Sequence, residues 1–197
     1  MSFRSYWKYV AMGLVGAGAI AAALYKPFPA DTTPEGAYLR VARAFTAGKL
    51  QEAFAYTETE AQWASYSLRD NRREALALAN KSFPAAEKNK LESEYGVIAR
   101  CPDGADVFAR YAVIRKWDQR LRKDLSGIDH VERDGERATI VTARGTRYTF
   151  RRRDNGIWGM TMFTPDLVTE AARSARDLTM VKSAAEDYAR AKPSHGG

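Results

Sequence analysis

Residues 128–163 read IDHVERDGERATIVTARGTRYTFRRRDNGIWGMTMF and decide the fold of this chain. Four short runs of strand-forming residues are separated by turns that contain Gly135, Gly145 and Gly156. Glycine adopts a positive φ without steric cost, so each turn can close a hairpin between strands of alternating character. The stretch therefore predicts a four-stranded antiparallel meander.

The meander has one apolar face that needs a cover. Side chains alternate between the two faces of a strand, so Tyr148, Phe150 and Arg152 share a face in the third run. In the fourth run Trp158 and Met160 likewise point the same way. Because the chain before and after the meander has helical patterning, the expected class is α+β with helices packed on the sheet.

Helical patterns fill the stretch before the meander. Thr33 and Pro34 begin the first helix and Gly48 follows its end, which with a short helix from Lys49 predicts a helical hairpin. Further helices are predicted at 58–81, with Trp63 and Tyr66 among its apolar positions, at 85–94 and at 105–125. A loop is expected at 96–104, and a strand over 107–114 is the alternative to the last helix.

A long helix is predicted at 165–191, after the meander. Its apolar positions follow a heptad spacing at Leu167, Ala171, Ser174, Leu178, Val181, Ala185 and Tyr188, called here the heptad seam. Two alternatives follow: the seam packs back on the rest of the domain, or it contacts a protein partner or a second copy. In the second case the partner-binding residues are Leu167, Ala171, Leu178, Val181 and Tyr188.

An uncharged apolar run at 10–24 predicts a membrane anchor over residues 9–26. Tyr6, Trp7 and Tyr25 flank it with the amphipathic rings that favour the bilayer interface. A cleavable signal peptide is the alternative reading of the same segment. With an anchor, the chain divides into a cytoplasmic N-terminus at 1–8, a linker at 27–33, a single α+β domain at 34–191 and a disordered tail at 192–197.

Charges around the anchor indicate its orientation. Arg4 and Lys8 precede the apolar run at 10–24 and only Lys26 follows that run before Asp31, which favours an N-terminus on the cytoplasmic side. The remaining residues would then lie in a bacterial periplasm. The prediction is a single-pass protein of the bacterial inner membrane.

Catalytic and metal-binding residue types are scarce. The chain has one cysteine and two histidines, too few for a zinc site of Cys and His ligands, and no metal or cofactor is expected. His130 stands next to Asp129 in a strand, where neighbouring side chains point to opposite faces, so no catalytic residue is assigned. The net charge of +7 and its basic clusters lack a base-reading motif, and no nucleic-acid partner is expected.

Several segments resemble the nuclear transport factor two-like superfamily. They are a helical hairpin at 33–57, an alternating strand at 134–141, a second at 145–150 and the Asn-Gly-Ile-Trp run at 155–158. The resemblance implies a cone-shaped α+β domain of the exported bacterial type, which in that superfamily holds a small ligand, hosts catalysis or serves as a scaffold. The long stretch between hairpin and meander and the heptad helix depart from the family pattern.

Two functions remain open. The first is a membrane-anchored, extracytoplasmic interaction or scaffold module, non-enzymatic, in an envelope protein assembly. The second is a small-molecule-binding or hydrolytic cone domain with a pocket on the sheet face. The pocket residues would then be His130, Tyr148, Arg152 and Trp158.

Overall fold

The structure, a computed structural model, describes residues 28–191. The predicted cytoplasmic N-terminus, membrane anchor and C-terminal tail lie outside the described residues. No helix within residues 28–191 is both long enough and apolar enough to span a bilayer. The elements in chain order are α1 (Pro34–Ala47), α2 (Leu50–Ala53), a 3-10 turn (Phe54–Tyr56), α3 (Thr59–Ser82), α4 (Ala85–Ala99), α5 (Gly104–Ile114), α6 (Trp117–Asp124), β1 (Ile128–Asp134), β2 (Arg137–Thr142), β3 (Arg147–Arg152), β4 (Trp158–Met160) and α7 (Thr164–Ala191).

The α+β class, the four-stranded antiparallel meander and the long C-terminal helix are confirmed. The strands pair in the order β1-β2-β3-β4, with Ala138 opposite Phe150 and Phe150 opposite Met160. The three turn glycines have the positive φ that the sequence predicts. Strand β4 is shorter than its run of residues, because Thr161 onward turns into α7.

The inner face of the sheet and the helices enclose one aromatic core. Phe108 and Phe163 meet edge to face with ring centroids 5.0 Å apart, and the Trp117 ring lies 5.0 Å from Phe163. Phe45 of α1 stacks on Phe163 at 5.9 Å. Burial of these rings is the main force that holds the helices on the sheet.

Two predicted helix boundaries were wrong. The helix predicted at 85–94 continues to Ala99, which shortens the expected loop. The single helix predicted at 105–125 is broken before Trp117, because Lys116 takes a left-handed backbone conformation at φ 57°. The break lets Trp117 point into the core, while Ile114 at the end of α5 is exposed.

The free side of β4 is occupied by backbone from the segment before α3. Thr57 forms an isolated parallel bridge with Met160. A Cβ on Gly159 would lie 2.5 Å from the carbonyl oxygen of Thr57, so only glycine permits this approach. The contact fixes the start of α3 against the sheet.

Helices α3 and α7 form a long parallel pair. Asn71 donates to Ser174 Oγ at 2.9 Å and Arg72 donates to Asp177 at 2.7 Å. The residue numbers of the contacts rise together along α3 and α7, so the two helices run in the same direction. The two N-termini therefore meet at one end, beside β4.

Candidate functional site

Of the four predicted pocket residues, His130 lies on the opposite face of the sheet from the other three. Tyr148 and Trp158 lie on the inner face of the sheet and are buried in the core, whereas His130 is exposed on the outer face. Arg152 is exposed at the end of β3. Residues that pair across neighbouring strands share a face, and adjacent residues in one strand lie on opposite faces. His130 pairs with Val141 and Tyr148 pairs with the adjacent Ile140, so His130 and Tyr148 lie on opposite faces.

Tyr148 is the one member of this group with an unusual environment. Its hydroxyl is buried and has no hydrogen-bond partner among residues 28–191. Burial, helped by the negative charge of Asp124, raises the pKa of Tyr148 to about 12. Its ring lies 5.7 Å from that of Tyr38, so it acts as a core residue in this structure.

His130 lies in an exposed polar cluster. Its Nδ1 is 2.7 Å from Asp129 Oδ2, and its Nε2 is 3.6 Å from Glu132. The hydrogen bond to Asp129, with a smaller contribution from Glu132, raises the pKa of His130 above its ordinary value. No nucleophilic side chain contacts the ring among the described hydrogen bonds of residues 28–191, so the cluster acts as a surface charge network.

The outer face of the sheet carries an open cleft of about 610 Å³. Its walls come from strands β1–β3, from Thr161 beyond β4 and from the starts of α3 and α7, and they mix hydroxyl, guanidinium and carboxylate groups. The residues that line it are Glu58, Glu132, Arg133, Asp134, Arg137, Ala138, Thr139, Thr149, Phe150, Arg151, Thr161, Thr164 and Pro165. We call this surface the sheet cleft.

Glu58 is the distinctive residue of the sheet cleft. Only 5% of it is exposed, yet it is a carboxylate at the meeting point of two helix N-termini, whose dipoles favour negative charge there. Thr164 Oγ1 donates to it at 2.5 Å, and Arg151 Nε lies 3.5 Å away. Sequence reasoning did not single out Glu58, because its burial depends on the parallel approach of α3 and α7.

The heptad seam is buried against the chain's own helices. Leu167 and Ala171 join the main core, while Leu178 and Val181 pack with Ala75 of α3. Tyr188 lies against Phe83, with ring centroids 5.0 Å apart. Of the two alternatives, the structure has the one in which the seam packs back on the domain, with Leu167, Leu178 and Val181 buried and Ala171 and Tyr188 half-buried.

Polar contacts fix the register of this internal seam. Arg72 is nearly buried, its guanidinium lies 3.8 Å from the centre of the Tyr95 ring, and it forms an ion pair with Asp177 at 2.7 Å. At the surface Lys182 pairs with Glu74 at 2.8 Å. The helices α3, α4 and α7 are therefore joined by both apolar and ionic contacts.

A different face of the same helix pair is open. Between the first halves of α3 and α7 lies a groove of about 520 Å³, called here the Trp63 groove. Trp63 is 68% exposed and Val168 is 44% exposed. The groove is lined by Glu60, Trp63, Ala64, Ser67, Asn71, Val168, Ala171, Ala172 and Ala175.

Sequence reasoning placed Trp63 among the apolar positions of α3, but the buried stripe of that helix runs elsewhere. Ala61, Leu68, Ala75 and Ala79 are buried at helical spacing, and Trp63 falls outside that stripe. The helical spacing of apolar residues on either side of Leu68 is a sequence signal that predicts Trp63 to be exposed. Together with Val168, Trp63 leaves an exposed apolar patch on this face of the helix pair.

No group of three or more His, Cys, Asp or Glu side chains within residues 28–191 is placed to hold a metal ion. Comparisons of the chain with models of known protein families, with curated proteins and with solved structures found no match. Function has to be argued from the surfaces described above.

Proposed function

We propose that this protein is a non-enzymatic interaction module of a bacterial envelope assembly. In this proposal residues 9–26 hold it in the inner membrane, and the α+β domain at 34–191 lies in the periplasm. The observation that supports the interaction role is the Trp63 groove, where a large aromatic side chain is left uncovered between two well-packed helices. Tryptophan is among the residues that contribute most to binding energy at protein interfaces.

The shape of the groove suits a helix from another protein. Its floor consists largely of alanines, Ala64, Ala171, Ala172 and Ala175, and small side chains let a third helix approach closely. Glu60 and Asn71 supply a polar margin, as at the rim of typical interfaces. The proposed partner is therefore a protein that presents an amphipathic helix, with an apolar residue seated beside Trp63.

The resemblance to the nuclear transport factor two-like superfamily is part of this proposal. The helical hairpin and the meander fit it, and in that superfamily such domains serve as scaffolds as well as binding sites. The helices α3–α6 between hairpin and sheet are an addition to that pattern.

Photo-crosslinking in native membranes tests the interaction role. A photoreactive amino acid in place of Ser67, an exposed residue that lines the groove and leaves Trp63 intact, is expected to give a discrete adduct with one protein. The same group at Met180, which is 63% exposed on α7 outside the groove, should not. Trp63→Ala should weaken co-purification of that protein by at least tenfold, because loss of an interface tryptophan costs about 2 kcal/mol or more. Equal crosslinking from both positions would contradict the proposal.

A second candidate is small-ligand binding in the sheet cleft. The observation in its favour is the buried carboxylate of Glu58 beside Arg151, together with Arg137 directly opposite Arg151 on the neighbouring strand. Like charges opposite each other destabilise a sheet unless other groups compensate, and Glu58 and Glu60 compensate Arg151 here. Calorimetric titration with small carboxylates, amines and nucleotides would test it, with Thr139→Val as the variant expected to weaken any heat signal.

A further inference from the structure

The segment that leads into α1 is attached firmly to the domain. Arg40 donates to the Pro29 carbonyl at 2.7 Å, and Trp158 Nε1 donates to the Thr32 carbonyl at 3.1 Å. A Cβ on Gly36 would lie 1.9 Å from the Ala30 carbonyl oxygen, so the segment and α1 are in direct contact. Residues 28–33, predicted from sequence as part of a linker, therefore move with the domain.

The distance from the proposed anchor to this segment is very short. The anchor at 9–26 ends two positions before Phe28, and one residue spans at most about 3.5 Å, which places Phe28 within about 7 Å of the end of the anchor. Since the segment after Phe28 is attached, the side of the domain around Phe28 has to face the bilayer. This step rests on the anchor of the proposed function.

The side chains on that side suit a lipid headgroup layer. Phe28 is 49% exposed, and the Arg40 guanidinium lies 4.8 Å from its ring centre and 5.9 Å from that of Tyr56. Aromatic rings and arginines are the residues that favour the membrane interface.

The turn after β3 adds two more arginines on the same side. Arg153 donates to the Ala55 carbonyl at 2.8 Å. A Cβ built on Gly156 would lie 3.9 Å from an Arg152 nitrogen and 4.0 Å from the methyl carbon of Thr32, so the Arg152 guanidinium is close to the segment before α1. Acids lie at the same end of the sheet, Asp31 and Asp154 near the arginines and Asp134 and Glu136 in the turn after β1, where the Arg152 N–H donates to the Glu136 carbonyl at 2.8 Å. The arginines can contact phosphate, the group that neutral and anionic phospholipid headgroups share.

We propose that Phe28, Arg40, Tyr56, Arg152 and Arg153 form a membrane face that lies on the phospholipid headgroups of the bilayer. The Phe28 ring enters the interface, and the arginines contact lipid phosphates. The domain is thereby held in one orientation rather than moving freely at the end of a tether, and the opposite end of the sheet, at the turn after β2, points into the aqueous phase.

Spin labels on the full chain in nanodiscs of phosphatidylethanolamine and phosphatidylglycerol test this orientation. In a Cys101→Ser background, which removes the one native cysteine, Ala55→Cys places a label beside the membrane face. Ala143→Cys places a matched label at the opposite end of the sheet. Both alanines are exposed, and their substitution by cysteine should preserve the fold.

Collision with lipid-soluble oxygen is expected to be severalfold stronger for the label at 55 than for the label at 143. Arg152→Glu should reduce that ratio in phosphatidylglycerol-containing discs, whereas Arg176→Glu on α7 should leave it unchanged. Equal water exposure of the two labels in inserted protein would overturn the orientation and leave the anchor standing. Failure of the chain to insert would overturn the anchor and the membrane face together.

Discussion

The heptad seam of α7 and the Trp63 groove belong to the same pair of helices, but the seam is largely buried and the groove is exposed to solvent. The seam is a regular apolar row that is buried over most of its length, in the main core at Leu167 and against α3 and α4 at Leu178 and Val181. The groove holds a single large apolar side chain with alanines around it, and nothing within residues 28–191 covers it. Regular spacing therefore identifies a packing face, but it does not identify which surface is left for a partner.

The largest expected effect comes from placing a charge in the seam. Leu178→Asp buries a carboxylate in an apolar cluster and should lower the free energy of unfolding by about 3 to 5 kcal/mol. Leu178→Met keeps the volume and should cost less than about 1.5 kcal/mol. Urea unfolding of the full chain in detergent measures both, and a stable Leu178→Asp protein that has merely lost association would place the seam on the outside.

Trp158 tests the contact between the sheet and the entry segment. Trp158→Ala should cost about 3 to 5 kcal/mol, because the ring is 5% exposed and its removal leaves a cavity. Trp158→Phe keeps most of the ring and loses the bond to Thr32, so it should cost about 1 kcal/mol. Thermal unfolding of the two variants separates packing from hydrogen bonding, and equal melting temperatures for wild type and Trp158→Ala would remove Trp158 from the core.

Asp177 and Glu74 compare a nearly buried ion pair beside the seam with an exposed one. Asp177→Asn leaves the nearly buried Arg72 without its charged partner and should cost about 1 to 3 kcal/mol. Glu74→Gln breaks the exposed pair with Lys182 and should cost less than about 1 kcal/mol. Chemical denaturation of both variants checks the order, and a larger loss for Glu74→Gln would contradict the burial assigned to Arg72.

Trp63, unlike the seam residues, should contribute little to the free energy of unfolding. Trp63→Ala should change the free energy of unfolding by no more than about 0.5 kcal/mol, as is usual for exposed side chains. Met180→Ala is the matched control on the same helix pair. A substantial loss of stability for Trp63→Ala alone would mean that the ring packs within the domain and that the groove is not a free surface.

The smallest effect is expected at His130. Asp129→Asn removes the main cause of the raised pKa of His130, so the ring should titrate at a lower pH in NMR spectra. A pKa raised by folding gives stability that is present below the unfolded pKa and is lost as pH rises through the folded pKa. Because the ring is exposed, unfolding measurements should show no such pH dependence, and a clear one would place His130 in a tighter network.

Much of the fold could be predicted because its signals are local. Gly135, Gly145 and Gly156 mark the turns, and Thr33 accepts the capping bond expected at the start of α1. The break before Trp117 could not be predicted, because it depends on the packing of the Trp117 ring against Phe108 and Phe163, which come together only in the folded structure. The sheet cleft was missed for a similar reason, since Glu58 and Thr164 are far apart in the chain.

The sequence by itself determined the α+β class, the meander and the helical periodicity of α7, because strand alternation, turn chemistry and helix period are properties of neighbouring residues. Only the tertiary structure decided which apolar faces are covered. Burial of Leu178 and exposure of Trp63 depend on how α3, α4 and α7 pack together, and no residue carries that information in its own type. The groove left beside Trp63 is the consequence on which the proposed function rests.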